Sequence, residues 1–117
     1  MVLGFNKRFP ELILNGIKIH TIREDKNNRW KQGNRIHFAT GVRTKNYNQF
    51  KEGECISTQH ILIYRKSEIV YIDNRALRRS ELKELAISDG FNNVEEFWKW
   101  FNKNFEGKII HWTNKKY

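Results

Sequence analysis

The stretch Gly16-Ile17-Lys18-Ile19-His20-Thr21-Ile22-Arg23 constrains this chain more than any other, because its alternation is that of a short β-strand. Read as a regular strand, it sets Lys18 on one face and Thr21 and Arg23 on the other. A helix ending at Gly16 leads into it. Two cations and a hydroxyl within six residues, set among Ile17, Ile19 and Ile22, exceed what a solvated strand requires. They point to a pocket for a polar or anionic ligand.

Elements of both kinds flank this strand. A strand is expected over Val2 to Phe5, then a helix over Lys7 to Asn15 with Phe9, Leu12 and Ile13 on one face. Pro10 fits only its first turn and Gly16 suits the position after the C-cap, so this helix is short. Glu24 to Gly33 read as a polar loop around Trp30, and Gly33-Asn34 turn the chain into a strand from Arg35 to Ala39. Thr40 to Glu52 mix Lys, Arg, Asn and Gly with Tyr47 and Phe50, as in an exposed loop or a β-hairpin arm. Cys55 to Tyr64 and Ile69 to Ile72 form a hairpin through Arg65-Lys66-Ser67-Glu68.

A helix capped by Ser80 runs to Ser88, buries Leu82, Leu85 and Ala86, and ends at Gly90. Asn93 with Glu96 marks the start of another, whose stripe of Val94, Phe97, Trp98, Phe101 and Phe105 is core; Trp100 falls off the stripe's edge, at a ligand-stacking position. A strand from Lys108 to Thr113 and the basic tail Asn114-Lys115-Lys116-Tyr117 close the chain. This order is α+β with a mostly antiparallel sheet, and a small closed or half-open barrel with flanking helices is the expected way to hide the sheet edges.

At 117 residues the chain is read as one domain, residues 1–117. Its 22 Lys and Arg against 13 Asp and Glu leave a formal charge of +9. Such a balance favours polyanionic partners, nucleic acid first among them, although a basic solvated surface alone has the same composition. Basic and aromatic residues interleave around Lys45 and Tyr47, where single-stranded nucleic acid could be gripped and stacked. The lone Cys55 allows no internal disulfide and reads as a small core residue, and His20, His37, His60 and His111 show no metal-ligand spacing. No stretch reaches the roughly 20 apolar residues of a membrane span, and no signal-peptide pattern opens the chain. A monomer in the cytoplasm, with no membrane, metal or cofactor, is the expectation.

The early helix, Gly16, Lys18, Thr21, Arg23, Trp30 and Gly33, together with Ser88-Asp89-Gly90-Phe91, resemble the ASCH domain family of the PUA-like superfamily over nearly the whole chain. The resemblance implies a PUA-like β-barrel whose cleft floor holds the lysine and the threonine, and a role with RNA or a modified nucleoside. Small single-domain bacterial members of that family hydrolyse N4-acetylcytidine to cytidine and acetate. By similarity Thr21 is the nucleophile, Lys18 the general base, Asp89 the proton donor and Arg23 a neighbour of the substrate. The small amidohydrolases carry glutamate where this chain has Asp89. Other members cleave RNA, so a ribonuclease that needs no metal and an RNA-binding module without catalysis are the alternatives. In the latter, Trp30 or Trp100 stacks on a base while the Lys45–Lys51 segment holds phosphates.

The residues themselves state what such chemistry needs. A threonine hydroxyl requires a base within hydrogen-bond reach, and a lysine serves only when burial and a neighbouring cation lower its pKa. On a regular strand Lys18 and Thr21 face apart, so cooperation demands a bulge or a strand end at Ile19-His20. By pattern alone the pair reads as a surface lysine and a strand-forming threonine. Asp89 stands near a helix C-terminus, where the dipole disfavours a carboxylate, although Asp before Gly is also an ordinary turn pair.

Overall fold

Eight strands and three helices follow one another in the computed structural model, which describes residues 1–117: β1 (Val2–Phe5), α1 (Pro10–Leu14), β2 (His20–Arg23), β3 (Arg35–Thr40), β4 (Asn48–Glu54), β5 (Ser57–Tyr64), β6 (Ile69–Ile72), β7 (Arg75–Ala76), α2 (Arg79–Ser88), α3 (Val94–Trp100) and β8 (Phe105–His111). They build two sheets, one in the order β1-β3-β4 and one in the order β2-β8-β5-β6-β7. Only the β1–β3 pair is parallel. The architecture is α+β with two mostly antiparallel sheets.

Alternation decides which faces are buried. Along β5, Ser57, Gln59, Ile61 and Ile63 turn inward while their neighbours stay part-exposed. Ile36, Phe38, Leu85, Phe97, Ile109 and Ile110 are fully enclosed, and removing a side chain such as Phe38 would cost about 3–5 kcal/mol. Cys55 is buried in the same core, between β4 and β5 rather than inside a strand. No helix is long and apolar enough to cross a membrane.

The largest departure from the sequence reading concerns the opening stretch. α1 ends early, and the chain reverses through Gly16 at φ +75°. The Ile17 and Lys18 amides both donate to the Leu12 carbonyl, and the Ile19 amide donates to the Ser88 carbonyl at 2.9 Å. Residues 17–19 are thereby tied to α1 and to the end of α2, and β2 begins only at His20. Lys18 is therefore not on a strand face. The strand end that joint action of Lys18 and Thr21 requires lies at Ile19-His20.

Other boundaries also move. The segment over 40–52, expected as an exposed loop or a β-hairpin arm, is a hairpin: residues 41–47 form the turn, and β4 from Asn48 pairs with β3. α2 is capped by Arg78 rather than Ser80, because the Glu81 carboxylate accepts the Arg78 amide at 2.9 Å and starts the helix two residues sooner. Asn93 caps α3 as expected, accepting the Glu96 amide at 2.8 Å. The stripe is broken after Trp100: Phe101 is the C-cap, and Phe105 opens β8 opposite Ile63.

Candidate functional site

A cleft of about 260 Å³ opens where β1, the segment ahead of β2, and the α2–α3 turn meet. Lys18, Thr21, Arg23 and Asp89 line it, with Phe5, Phe9, Phe91 and Trp100 as its apolar walls. Lys18 and Asp89, 71 positions apart in the chain, thus share one space.

Lys18 is 2% exposed, and its Nζ donates to the Asp89 backbone carbonyl at 2.6 Å and to Asp89 Oδ1 at 3.2 Å. The amine also stands 4.7 Å from the centre of the Phe9 ring. Burial strips water from the ammonium and holds its pKa below the usual lysine range; Asp89 opposes this, while Arg23 and Arg8 reinforce it. A neutral amine has two N–H groups. With both given to Asp89, its lone pair is left for the cleft.

Thr21 and Arg23 share a face of β2, as alternation dictates. The Thr21 hydroxyl oxygen accepts from Arg23 Nε at 3.1 Å, so its proton remains available to a base. No direct hydrogen bond joins Thr21 to Lys18, although both line the cleft. Arg23 Nη2 donates to the Gly4 carbonyl at 2.6 Å, and the guanidinium lies 5.0 Å from the Phe5 ring centre. No carboxylate pairs with it, and burial lowers its pKa with Asp89 counteracting. The Arg23 guanidinium, without a carboxylate partner, leaves the cleft attractive to electron-rich groups.

Asp89 is the C-cap of α2, 3% exposed. The reversal that places it requires glycine at the next position. Gly90 has φ +99°, and a Cβ there would lie 2.9 Å from the Phe9 ring and 3.1 Å from Lys18 Cδ. Phe91 then packs edge-on against Phe9 with centroids 6.3 Å apart. Arg8 spans the rim, donating to the Gly90 carbonyl and pairing with Glu96.

Trp100 is 50% exposed and leans on Phe9 and Phe91 at 5.8 and 5.5 Å, so an indole face stands at the cleft's edge. Trp30 does not. The Asp25 carboxylate accepts the Arg29 and Trp30 amides, folding the loop so that the indole enters the core at 8% exposure, away from the cleft. Its expected role of stacking on a base is corrected accordingly. Lys45 and Tyr47 lie on the exposed 41–47 turn, outside the cleft's lining.

Behind Asp89 lies a group that sequence reasoning passed over. His20, with no exposed surface, puts Nδ1 3.0 Å from Asp89 Oδ1 and Nε2 2.8 Å from the Tyr117 hydroxyl. His20 stands two positions from Lys18, and that spacing was the available signal; nothing marked Tyr117. Gln59 holds Tyr117 through both its backbone amide and its carbonyl, and also meets His111 Nε2 at 3.0 Å. Burial lowers the pKa of His20 and carries that of His111 down to about 3, while the Tyr117 hydroxyl is pushed up. Both imidazoles are neutral at pH 7. No group of three or more His, Cys, Asp or Glu side chains is placed to hold a metal ion.

Compared with protein-family models, curated proteins and solved structures, the chain shows no significant match to any of them.

Proposed function

We propose that this chain is an ASCH-type hydrolase acting on a modified nucleoside, with N4-acetylcytidine as its substrate and cytidine and acetate as products. The single observation that carries the reading is the meeting of a dehydrated Lys18 amine, the Thr21 hydroxyl and the Asp89 carboxyl in one cleft. The two sheets are read as the halves of a PUA-like barrel, with Phe5, Phe38 and Trp112 packed between them. The family assignment rests on Gly16, Lys18, Thr21, Arg23, Trp30, Gly33 and the Ser88–Phe91 turn.

In this reading the Lys18 lone pair takes the Thr21 proton as the threonine oxygen attacks the acetyl carbon. Arg23, bonded to that oxygen through Nε, orients it and supplies the positive charge beside the acetyl carbonyl oxygen, where the negative charge builds. The tetrahedral intermediate collapses when a protonated Asp89 gives its proton to the N4 nitrogen, releasing cytidine. The Lys18 ammonium returns its proton to the Asp89 carboxylate it is bonded to, and the free amine then takes a proton from the water that attacks the acetyl-threonine ester; that proton passes to the departing Thr21 oxygen and acetate leaves. Trp100 stacks on the pyrimidine.

The test is turnover of N4-acetylcytidine by the purified protein, a cytoplasmic monomer in this reading. Lys18→Met and Thr21→Val should each lower kcat/KM by roughly 10²–10⁴-fold while the circular dichroism spectrum is kept. Full activity in both variants would end the mechanism. The charge of +9 and the exposed Lys45 and Tyr47 favour a second reading, an RNA-binding module. There, RNA affinity falls steeply with salt and no nucleoside is consumed. A ribonuclease would instead shorten the RNA in chelator.

A further inference from the structure

We propose that His20, held by Tyr117, is a positioning residue that directs the Asp89 proton into the cleft. This rests on reading Asp89 as the proton donor. The geometry is a chain of three groups, two buried and one half-buried: Tyr117 hydroxyl to His20 Nε2 at 2.8 Å, His20 Nδ1 to Asp89 Oδ1 at 3.0 Å.

Nδ1 faces the Asp89 carboxyl and Nε2 faces a hydroxyl that can donate, so the tautomer we assign carries the ring proton on Nδ1, with Nε2 accepting from the Tyr117 hydroxyl. Nδ1–H then donates to Asp89 Oδ1. That oxygen already receives Lys18 Nζ, so two donors occupy it. Oδ2 makes no hydrogen bond within the chain, and Asp89 lines the cleft. A proton on the carboxyl must therefore reside on Oδ2, facing the ligand.

The opposite tautomer reverses this. With the ring proton on Nε2, Nδ1 becomes an acceptor, and the carboxyl proton is drawn to Oδ1, toward the histidine and away from substrate. Tyr117 thus selects which oxygen is the acid. Its own position is fixed from both sides by Gln59, whose Nε2 donates to the Tyr117 carbonyl at 2.7 Å and whose Oε1 accepts the Tyr117 amide at 2.9 Å. The closing segment of the chain, packed on the far side of β2, is in this way part of the site.

The test reads the imidazole directly. Nitrogen NMR of the wild-type protein should show His20 as the neutral Nδ1–H form, and Tyr117→Phe should move a large share of it to Nε2–H. In the same variant kcat for N4-acetylcytidine should fall about 10- to 100-fold with KM nearly unchanged, as for a misaimed catalytic group. His20→Asn, which keeps a donor toward Oδ1, should retain more activity than His20→Leu. An Nε2–H or doubly protonated His20 in the wild-type protein overturns the proposal, as does a Tyr117→Phe variant with unchanged tautomer. If the wild-type protein turns over no nucleoside, the hydrolase reading fails by that result, and the imidazole spectrum still decides the positioning chain by itself.

Discussion

Mild acid should destabilise this protein, and His111 is the reason that can be given a magnitude. The imidazole has no exposed surface, its ring centroid lies 5.3 Å from that of His20, and its Nδ1 has no hydrogen-bond partner. Burial, then repulsion from His20, lowers its pKa from 6.5 to about 3. Below pH 6.5 the unfolded chain binds a proton that the folded one refuses, so stability falls as the pH drops and keeps falling until about pH 3. Each pH unit inside that window costs about 1.4 kcal/mol, which gives roughly 2 kcal/mol lost between pH 7 and pH 5 from His111 alone. His20 titrates in the same direction and adds to it. Urea unfolding at half-unit steps from pH 7 to pH 4 measures the slope, and His111→Gln supplies the control. Glutamine keeps a donor for Gln59 Oε1 and cannot ionise, so the variant should lose that ~2 kcal/mol of pH dependence whatever its stability at pH 7. An unchanged slope between pH 6.5 and pH 5 in His111→Gln would refute the reasoning.

Four further outcomes follow, three from named contacts and one from the proposed chemistry. Gly90→Ala places a Cβ against the Phe9 ring at a positive φ; strain of ~1–2 kcal/mol plus overpacking of ~1–3 kcal/mol should lower the thermal midpoint by about 10 °C, read by calorimetry. A shift below one or two degrees would mean the turn relaxes freely. Trp30→Ala should destabilise by about 3–5 kcal/mol in urea, as loss of a core indole does. Trp100→Ala should leave folding nearly intact and weaken nucleoside binding by the ~1–3 kcal/mol of one base stack, measured by calorimetric titration; equal effects of the two substitutions on binding would contradict their placement. A reaction quenched during turnover should yield, by peptide mass spectrometry, an acetyl group on the peptide that carries Thr21, and acetylation elsewhere only would remove Thr21 as nucleophile.

The parts of the fold legible in the sequence are those with local causes. Alternation over Val2–Phe5, the turn between β5 and β6, and Asn93 with Glu96 each act over a few residues, and each stands where the pattern set it. The boundaries that moved answer to distant partners. β2 starts late because the Ile19 amide finds the Ser88 carbonyl, and β8 starts early because Phe105 pairs with Ile63. The same division runs through the site. Thr21 and Arg23 are neighbours on one strand and were visible as a pair, whereas Asp89 joined them only through a resemblance. Trp30 misled because an aromatic in a polar loop looks exposed until the Asp25 carboxylate turns the backbone inward. His20 and Tyr117 are 97 positions apart, and no local pattern joins them.

At the centre is a lysine whose burial disfavours the ammonium form and lowers its pKa. The direct measurement is an NMR titration of the Lys18 side chain, assigned by its loss in Lys18→Met. Its midpoint should lie well below the 10.5 of an ordinary lysine and coincide with the rising limb of the activity profile. A Lys18 that titrates together with the exposed lysines would contradict the account.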